Sequence, residues 1–299
     1  MNNDVSLLII GDKQNFESVE RSILSFRNVY KDSDVVLVNV QHTPELNDLA
    51  EKLSINVYIP SKKYGYPMFK STETNDLIEW CLEVIFKPSL LIKTKYFVFG
   101  EPDCFFVKET NLMCNSDIIT HSSPNWMFGT LWPQFERDRD KDDPHKLFSN
   151  YVKEIEDKCK NIGIDPKKFE SSLNVVFSAG AFINTDKFKN LYLNDRQLII
   201  DIINAYLEST IKRYSYMVFM TDIVMSFVLI LSGFTTSFNK NYVFGYYEKT
   251  ILNVNDIDNV EKNVEIIHPL KIFYTEKKQS WGNYFERKVD KETIDKYFR

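Results

Sequence analysis

Short apolar runs alternate with helical apolar stripes through the first hundred residues. Val5 to Ile10 is a run that ends at Gly11-Asp12, after which Phe16, Val19, Ile23 and Phe26 recur at helical spacing. Val35 to Val40 repeats the strand pattern, Glu45 to Leu53 reads as a short helix, and Val57 to Ile59 is a third strand stopped by Pro60. Thr74 to Phe86 reads as an amphipathic helix with Leu77, Ile78, Cys81, Leu82 and Ile85 on one face, and Tyr96 to Gly100 as the strand that follows. Strands separated by helices in this way predict right-handed crossovers and a parallel, doubly wound α/β sheet. Ligands bind such sheets beyond the carboxyl ends of the strands, where Gly11-Asp12, Asn39 and Glu101-x-Asp103 fall.

The second half changes character. Asp117 to Thr120 reads as a strand, followed by an aromatic loop over Asn125 to Phe135 and a mixed charge run, Arg137 to His145, expected as solvated surface. Val175 to Ile183 is strand-like with Gly180 at its centre, which predicts close approach of a ligand or another backbone. A helix is expected around Asp195 to Ser209. Tyr216 to Phe234 is almost continuously apolar, but Asp222 interrupts it and no basic cluster flanks it, so a helix buried in a large domain is expected rather than a membrane span. No linker separates the halves, which predicts one domain over residues 1–299 with an elaborated C-terminal half.

Composition narrows the function classes. With 299 residues, 43% of them apolar, the chain can bury a full core. A formal charge of -5 leaves no global basic field, which argues against nucleic acid as a partner. The four cysteines form no Cys-x-x-Cys pair and show no metal spacing with the histidines, and the opening MNNDVSLLII lacks the features of a signal peptide. A cytoplasmic protein is the expectation.

The chemistry concentrates in Lys95 to Lys108, KYFVFGEPDCFFVK, where Glu101 and Asp103 interrupt an apolar run at i and i+2. Alternation along an extended backbone would point both carboxylates to one side, two hard oxygen donors for a single divalent cation. The plainer reading is a strand end with two solvated acids. Taken in order, EPD at 101–103, SAGAFIN at 178–184, Thr221-Asp222 before a buried helix ending in Gly233-Phe234, and HPLK at 268–271 resemble the GT-A class of nucleotide-sugar glycosyltransferases over roughly residues 4 to 275. Glu101 stands where the commonest pattern of that class has Asp, and Pro102 separates the acids.

The resemblance implies a GT-A-like, Rossmann-type fold with an elaborated C-terminal half, a UDP- or GDP-sugar as donor and a glycan as acceptor. It also implies Mn²⁺ or Mg²⁺ held by Asp103, with Glu101 as a second or outer ligand and His268 as an imidazole donor, in a chain without a Walker loop or a Gly-x-Gly-x-x-Gly fingerprint. Gly11, Asp12 and Asn39 would hold the nucleoside, and Lys271 would add positive charge beside the leaving phosphates. Asp222 is the candidate base, with a helix cap as its plainer role and Asp186 and Glu248 as alternative acids. Trp126, Trp132, Tyr246 and Tyr247 are candidates for stacking on sugar faces. A sugar nucleotidyltransferase and a non-catalytic glycan-binding relative are the competing readings.

Overall fold

The computed structural model describes residues 5–11, 16–64, 74–102, 104–112, 115–120, 144–165, 177, 179–211, 221–238, 243–244, 251–252, 265–268 and 288–289. At its centre β1 (Val5–Gly11) pairs in parallel with β2 (Val35–Asn39) on one side and with β4 (Tyr96–Gly100) on the other. β3 (Asn56–Tyr58) extends the first side, and β7 (Phe182–Asn184), β6 (Ile118–Thr120) and β8 (Thr236–Phe238) extend the second, giving the order β3-β2-β1-β4-β7-β6-β8. Only β7 runs against the rest of this sheet. A smaller sheet of order β5-β11-β9 is built from β5 (Phe105–Phe106), β9 (Val243–Phe244) and β11 (Ile266–His268), and β10 (Ile251–Leu252) pairs with β12 (Lys288–Val289).

The helices cover both faces of the large sheet, as a doubly wound α/β fold requires. Along β1, Val5, Leu7 and Ile9 enter the core beneath α1 (Phe16–Val29) and α2 (Pro44–Leu53), while Leu8 and Ile10 enter the opposite core. That second core lies against α3 (Thr74–Trp80), α4 (Pro144–Asn161), α5 (Thr185–Asn194), α6 (Arg196–Ile211) and α7 (Thr221–Leu231). Burial on both faces explains why β1, β2 and β4 read as unbroken apolar runs rather than as alternating ones. In α7 every residue from Ile223 to Leu231 is buried, and no helix among the described residues is long and apolar enough to cross a membrane.

Three elements depart from the sequence pattern. The helix expected over Thr74 to Phe86 becomes a π-helical turn over Cys81–Phe86 and then a 3-10 turn over Lys87–Leu91. Pro88 lies inside that last segment and cannot donate an amide to continue the ladder. The charge run expected to be a loop through His145 gives way at Pro144 to α4, because proline is well suited to the first helical position, and Ile155 and Cys159 bury one face. Among the described residues of the strand expected over Val175 to Ile183, the strand begins at Phe182 and runs to Asn184, which caps α5 by accepting the Lys187 amide at 3.0 Å. The aromatic loop over Asn125 to Phe135 lies outside the described residues.

At the amino edge of the large sheet, Asp117 fastens three elements. Its Oδ2 accepts from Lys187 Nζ at 2.6 Å, from the Thr235 amide at 2.8 Å and from the Thr235 hydroxyl at 2.7 Å. Lys187 also donates to the Gly233 carbonyl at 2.7 Å, just beyond the carboxyl end of α7. Partial burial alone would raise the Asp117 carboxyl, but Lys187 and Thr235 outweigh it and hold it below its ordinary value. A folded-state pKa below the unfolded one adds stability that is full above about pH 4 and is lost as pH falls through the folded value. Asp117→Asn is therefore expected to destabilise by ~1–3 kcal/mol at neutral pH and by less near pH 3. Urea unfolding at both pH values checks this, and an equal deficit at both would show that the carboxylate charge is not what matters.

Candidate active site

The strand order reverses between β1 and β4. From β1 the chain steps outward to β2 and β3, then returns to β4 on the other side of β1. A crevice therefore opens beyond the carboxyl ends of this central pair, between Gly11 and Glu101. Gly11 is closely packed there: a Cβ would lie 3.0 Å from Leu37 Cδ1 and 3.2 Å from Leu46 Cδ1, so those leucine ends would have to give by a few tenths of an ångström. Asn39, opposite Gly11, is fully buried with its amide committed to the chain itself. Nδ2 donates to the Thr43 carbonyl at 2.8 Å and to Asn47 Oδ1 at 2.9 Å, and Oδ1 accepts the Thr43 amide at 3.0 Å. Its part at this edge is to fix the loop that enters α2.

Glu101 follows β4 directly, but the extended backbone stops at Gly100. The Glu101 carbonyl accepts the Cys104 amide at 3.0 Å, which closes a turn, and Pro102 occupies the second position that such turns favour. Strand alternation therefore does not decide where the two acids point; a proline-set turn presents this segment. The partly buried Glu101 is also fastened through its carbonyl, which accepts from Ser22 Oγ of α1 at 3.4 Å. At Gly100 an added Cβ would come within 2.6 Å of Leu7 Cδ1, so the last residue of β4 must be small to sit beside β1.

The small sheet brings a distant segment to the same place. β11 runs antiparallel to β5 with Ile266 opposite Phe106 and Ile267 opposite Phe105. Ile267, opposite Phe105, is the neighbour in sequence of His268, and Phe105 follows Asp103 by two residues. The Glu265 carbonyl accepts the amides of Val107 at 2.8 Å and Lys108 at 3.3 Å, which closes the far end of the pairing.

A third segment arrives from α7. Gly180 donates its amide to the Phe99 carbonyl at 2.6 Å, and Phe99 donates its own to the Ala181 carbonyl at 2.9 Å. The backbone approach expected at Gly180 is thus to β4, made in a turn with φ +84°, which glycine adopts without strain. The Phe177 ring lies 4.5 Å from that of Phe99, and the Phe177 amide donates to Ser226 Oγ at 3.0 Å. Ser226 in turn donates to the Asp222 carbonyl at 2.5 Å. The first turn of α7, with partly buried Asp222 as its second residue, is in this way tied to the carboxyl end of β4. Since the other end of α7 meets Lys187 at the amino edge, its positive dipole end faces the crevice edge.

No family model matches the chain, and no curated protein does. Its likeness is to solved glycosyltransferase structures. The galactosyltransferase LgtC in complex with donor and acceptor sugar analogs is 10% identical, with 93% of this chain and 92% of that one covered at a TM-score of 0.47. The glycosyltransferase GlyE of Streptococcus pneumoniae TIGR4 is 13% identical, with 98% and 59% covered at 0.44. Core-mannan synthase A from Aspergillus fumigatus, in its Mn/GDP form, is 14% identical, with 76% and 69% covered at 0.39.

Of the residues singled out from sequence, Gly11, Asn39, Glu101 and Asp222 are placed at or tied to this one edge. Asp12, Asp103 and Lys271 lie outside the described residues, as do Trp126, Trp132, Tyr246 and Tyr247, and His268 is described through its backbone. Among the described residues no three metal-binding side chains converge. The expected donor set of two carboxylates and an imidazole nevertheless suits Mn²⁺ or Mg²⁺ by its chemistry, and the backbone pairing joins segments adjacent in sequence to its two parts, residues 101–103 and 268. Sequence reasoning passed over Ser22, Ser25 and Ser226, whose signal was a small hydroxyl within an otherwise apolar helical stripe. Gly180→Ala is expected to cost about 1–2 kcal/mol, because the turn demands a left-handed backbone. A urea midpoint unchanged from the parent would show that the turn relaxes without harm.

Proposed function

We propose that the chain is a glycosyltransferase that moves a sugar from a UDP- or GDP-sugar to a hydroxyl of a glycan acceptor. The observation that supports this reading is the pairing of β11 with β5, in which Ile267, next to His268 in sequence, lies opposite Phe105, two residues after Asp103.

Asp103, Glu101 and His268 would hold Mn²⁺ or Mg²⁺. The ion supplies positive charge against the diphosphate that leaves the sugar. The loop after β1, with Gly11 and Asp12, receives the nucleoside, while Asn39 keeps the adjoining loop in place. Lys271, three residues beyond His268, adds a further positive charge on the phosphate side. Asp222 is assigned the proton of the acceptor hydroxyl as its oxygen attacks the sugar carbon, the role a carboxylate takes in a transfer with inversion.

Thermal melting with UDP-, GDP- and CMP-sugars, each with and without Mn²⁺, tests the reading. One nucleotide sugar together with Mn²⁺ should stabilise the protein, with little effect of either alone, whereas a response to free glycan only would identify a lectin-like protein instead. Asp103→Asn should remove the joint response and abolish transfer, with Glu101→Gln milder; full activity of Asp103→Asn at saturating Mn²⁺ would falsify the metal assignment. Asp222→Asn is expected to lower kcat by ~10²-fold or more with donor affinity nearly unchanged. If that variant melts earlier yet keeps its kcat, Asp222 serves only the helix.

A further inference from the structure

The core-facing side of α1 carries polar groups where apolar ones would pack more simply. Among Val19, Ser22, Ile23, Ser25 and Phe26, the two serines are 1% and 2% exposed, and Tyr30, just past the helix, is 1% exposed. Buried hydroxyls are costly without partners, and all three have them in a single stretch of chain. Ser22 Oγ donates to the Glu101 carbonyl at 3.4 Å, Ser25 Oγ accepts the Phe106 amide at 3.1 Å, and the Tyr30 hydroxyl accepts the Thr110 amide at 2.8 Å. Ser25 also donates to the Ser22 carbonyl at 2.8 Å, which orients its lone pairs outward. Positions 22, 25 and 30 ascend the helix as 101, 106 and 110 ascend the partner segment, over a rise of about 12 Å.

The reason for the hydroxyls lies in the small sheet. Among the described residues β5 is the edge strand of this sheet, paired with β11 on one side, so its other side would bury an unpaired backbone amide against α1. Ser25 takes that amide, at Phe106, and Tyr30 takes the amide of Thr110, four residues beyond β5. Burial pushes the Tyr30 phenol up to about 12, against a smaller opposing effect of the Thr110 bond, so the hydroxyl stays neutral throughout the physiological range. Phe26 locks the same interface, its ring 5.2 Å from that of Phe106 in an edge-on contact.

We infer that Ser22, Ser25 and Tyr30 are positioning residues, a hydroxyl rail on α1 that sets the place of the Glu101-x-Asp103 turn for binding the metal-bound diphosphate of the donor. This inference rests on the reading of that turn as the donor site. α1 begins where the loop after β1 ends, so the nucleoside side and the diphosphate side of the site share one rigid support. The rail fixes their separation, whereas apolar packing alone would allow the turn to slide along the helix.

Ser25→Ala tests this, with Ser33→Ala as the control: Ser33 is also buried, follows α1 and has no bond to residues 101–110 among the described residues. Amide exchange at Phe106 reads the rail itself, and calorimetry of UDP and of GDP, each with Mn²⁺, reads its consequence. Ser25→Ala should quicken Phe106 exchange and weaken metal-supported nucleotide binding by about 10-fold, beyond any change in the control. Ser22→Ala, which removes the longer bond, should weaken binding less and leave Phe106 exchange nearly as in the parent. Faster exchange with unchanged binding would overturn the positioning role, and unchanged exchange would overturn the rail. Should the parent protein bind neither nucleotide with Mn²⁺, the donor-site reading fails, and the inference falls with it.

Discussion

The parallel pairing of β1 with β4 is the constraint on which the rest of the molecule depends. Five consecutive backbone positions are held in register, Val5 against Tyr96 through Ile9 against Gly100, and both strands are buried on both faces. A slip of one residue would turn every side chain to the opposite core. Leu7 adds to that cost, since its Cδ1 lies 2.6 Å from where a Cβ on residue 100 would sit and a bulkier residue in that place would displace it. Once the pair is set, the crevice lies at its carboxyl end, α1 must pack on the face that receives Leu7 and Ile9, and the turn after β4 emerges next to α1.

The two faces of the sheet are held by different physics. Beneath α6 and α7 the core is apolar and aromatic: the Phe86 and Phe188 rings stack at 4.4 Å, and Phe97 meets Phe188 edge-on at 5.2 Å. Dispersion and water exclusion are strong but weakly directional, so they set the thickness of the layer more than the position of any one loop. Beneath α1 and α2, Asn39, Ser22, Ser25 and Tyr30 make directional bonds to backbone groups of Thr43, Glu101, Phe106 and Thr110. Each such bond contributes modestly to net stability, near 1 kcal/mol, yet leaving its partner unpaired would cost more than that. Polar anchoring is thus placed where position matters and apolar packing where bulk stability is needed.

This division explains what the sequence made legible. Parallel strands buried on both faces appear as unbroken apolar runs, so β1, β2 and β4, and the helices α1 and α2, could be read to within a few residues of their bounds. The apolar stretch around Asp222 likewise announced a buried helix. Turn geometry was harder: Glu101-x-Asp103 looked like alternation along a strand because Pro102 resembled a spacer, although it sets the turn. Gly180 sat in a β-branched and aromatic context that hid its positive φ. α4 was obscured because its beginning at Pro144 is buried in a charge run. Asn39 was correctly placed at the strand end, but composition does not reveal that its amide would be spent on Thr43 and Asn47.

Least legible was the pairing of β11 with β5, and its physics shows why. Strands of two and three residues have too few ladder bonds to stand alone, and no local periodicity announces them. They persist because their neighbours supply what they lack: Ser25 of α1 takes the outer amide of β5 at Phe106, Glu265 takes the amides of Val107 and Lys108, and Tyr30 takes that of Thr110. The small sheet therefore depends on the large one for its position. Structure of this kind belongs to the low end of local stability, which is where binding free energy has the greatest effect on order. A polyanion bridged to residues on both sides of the β5–β11 seam would add the contacts that the short ladder lacks. On the proposed donor-site reading, occupancy and structure would be coupled at this seam, and the hydroxyls of Ser22, Ser25 and Tyr30 would limit how far its acidic side moves.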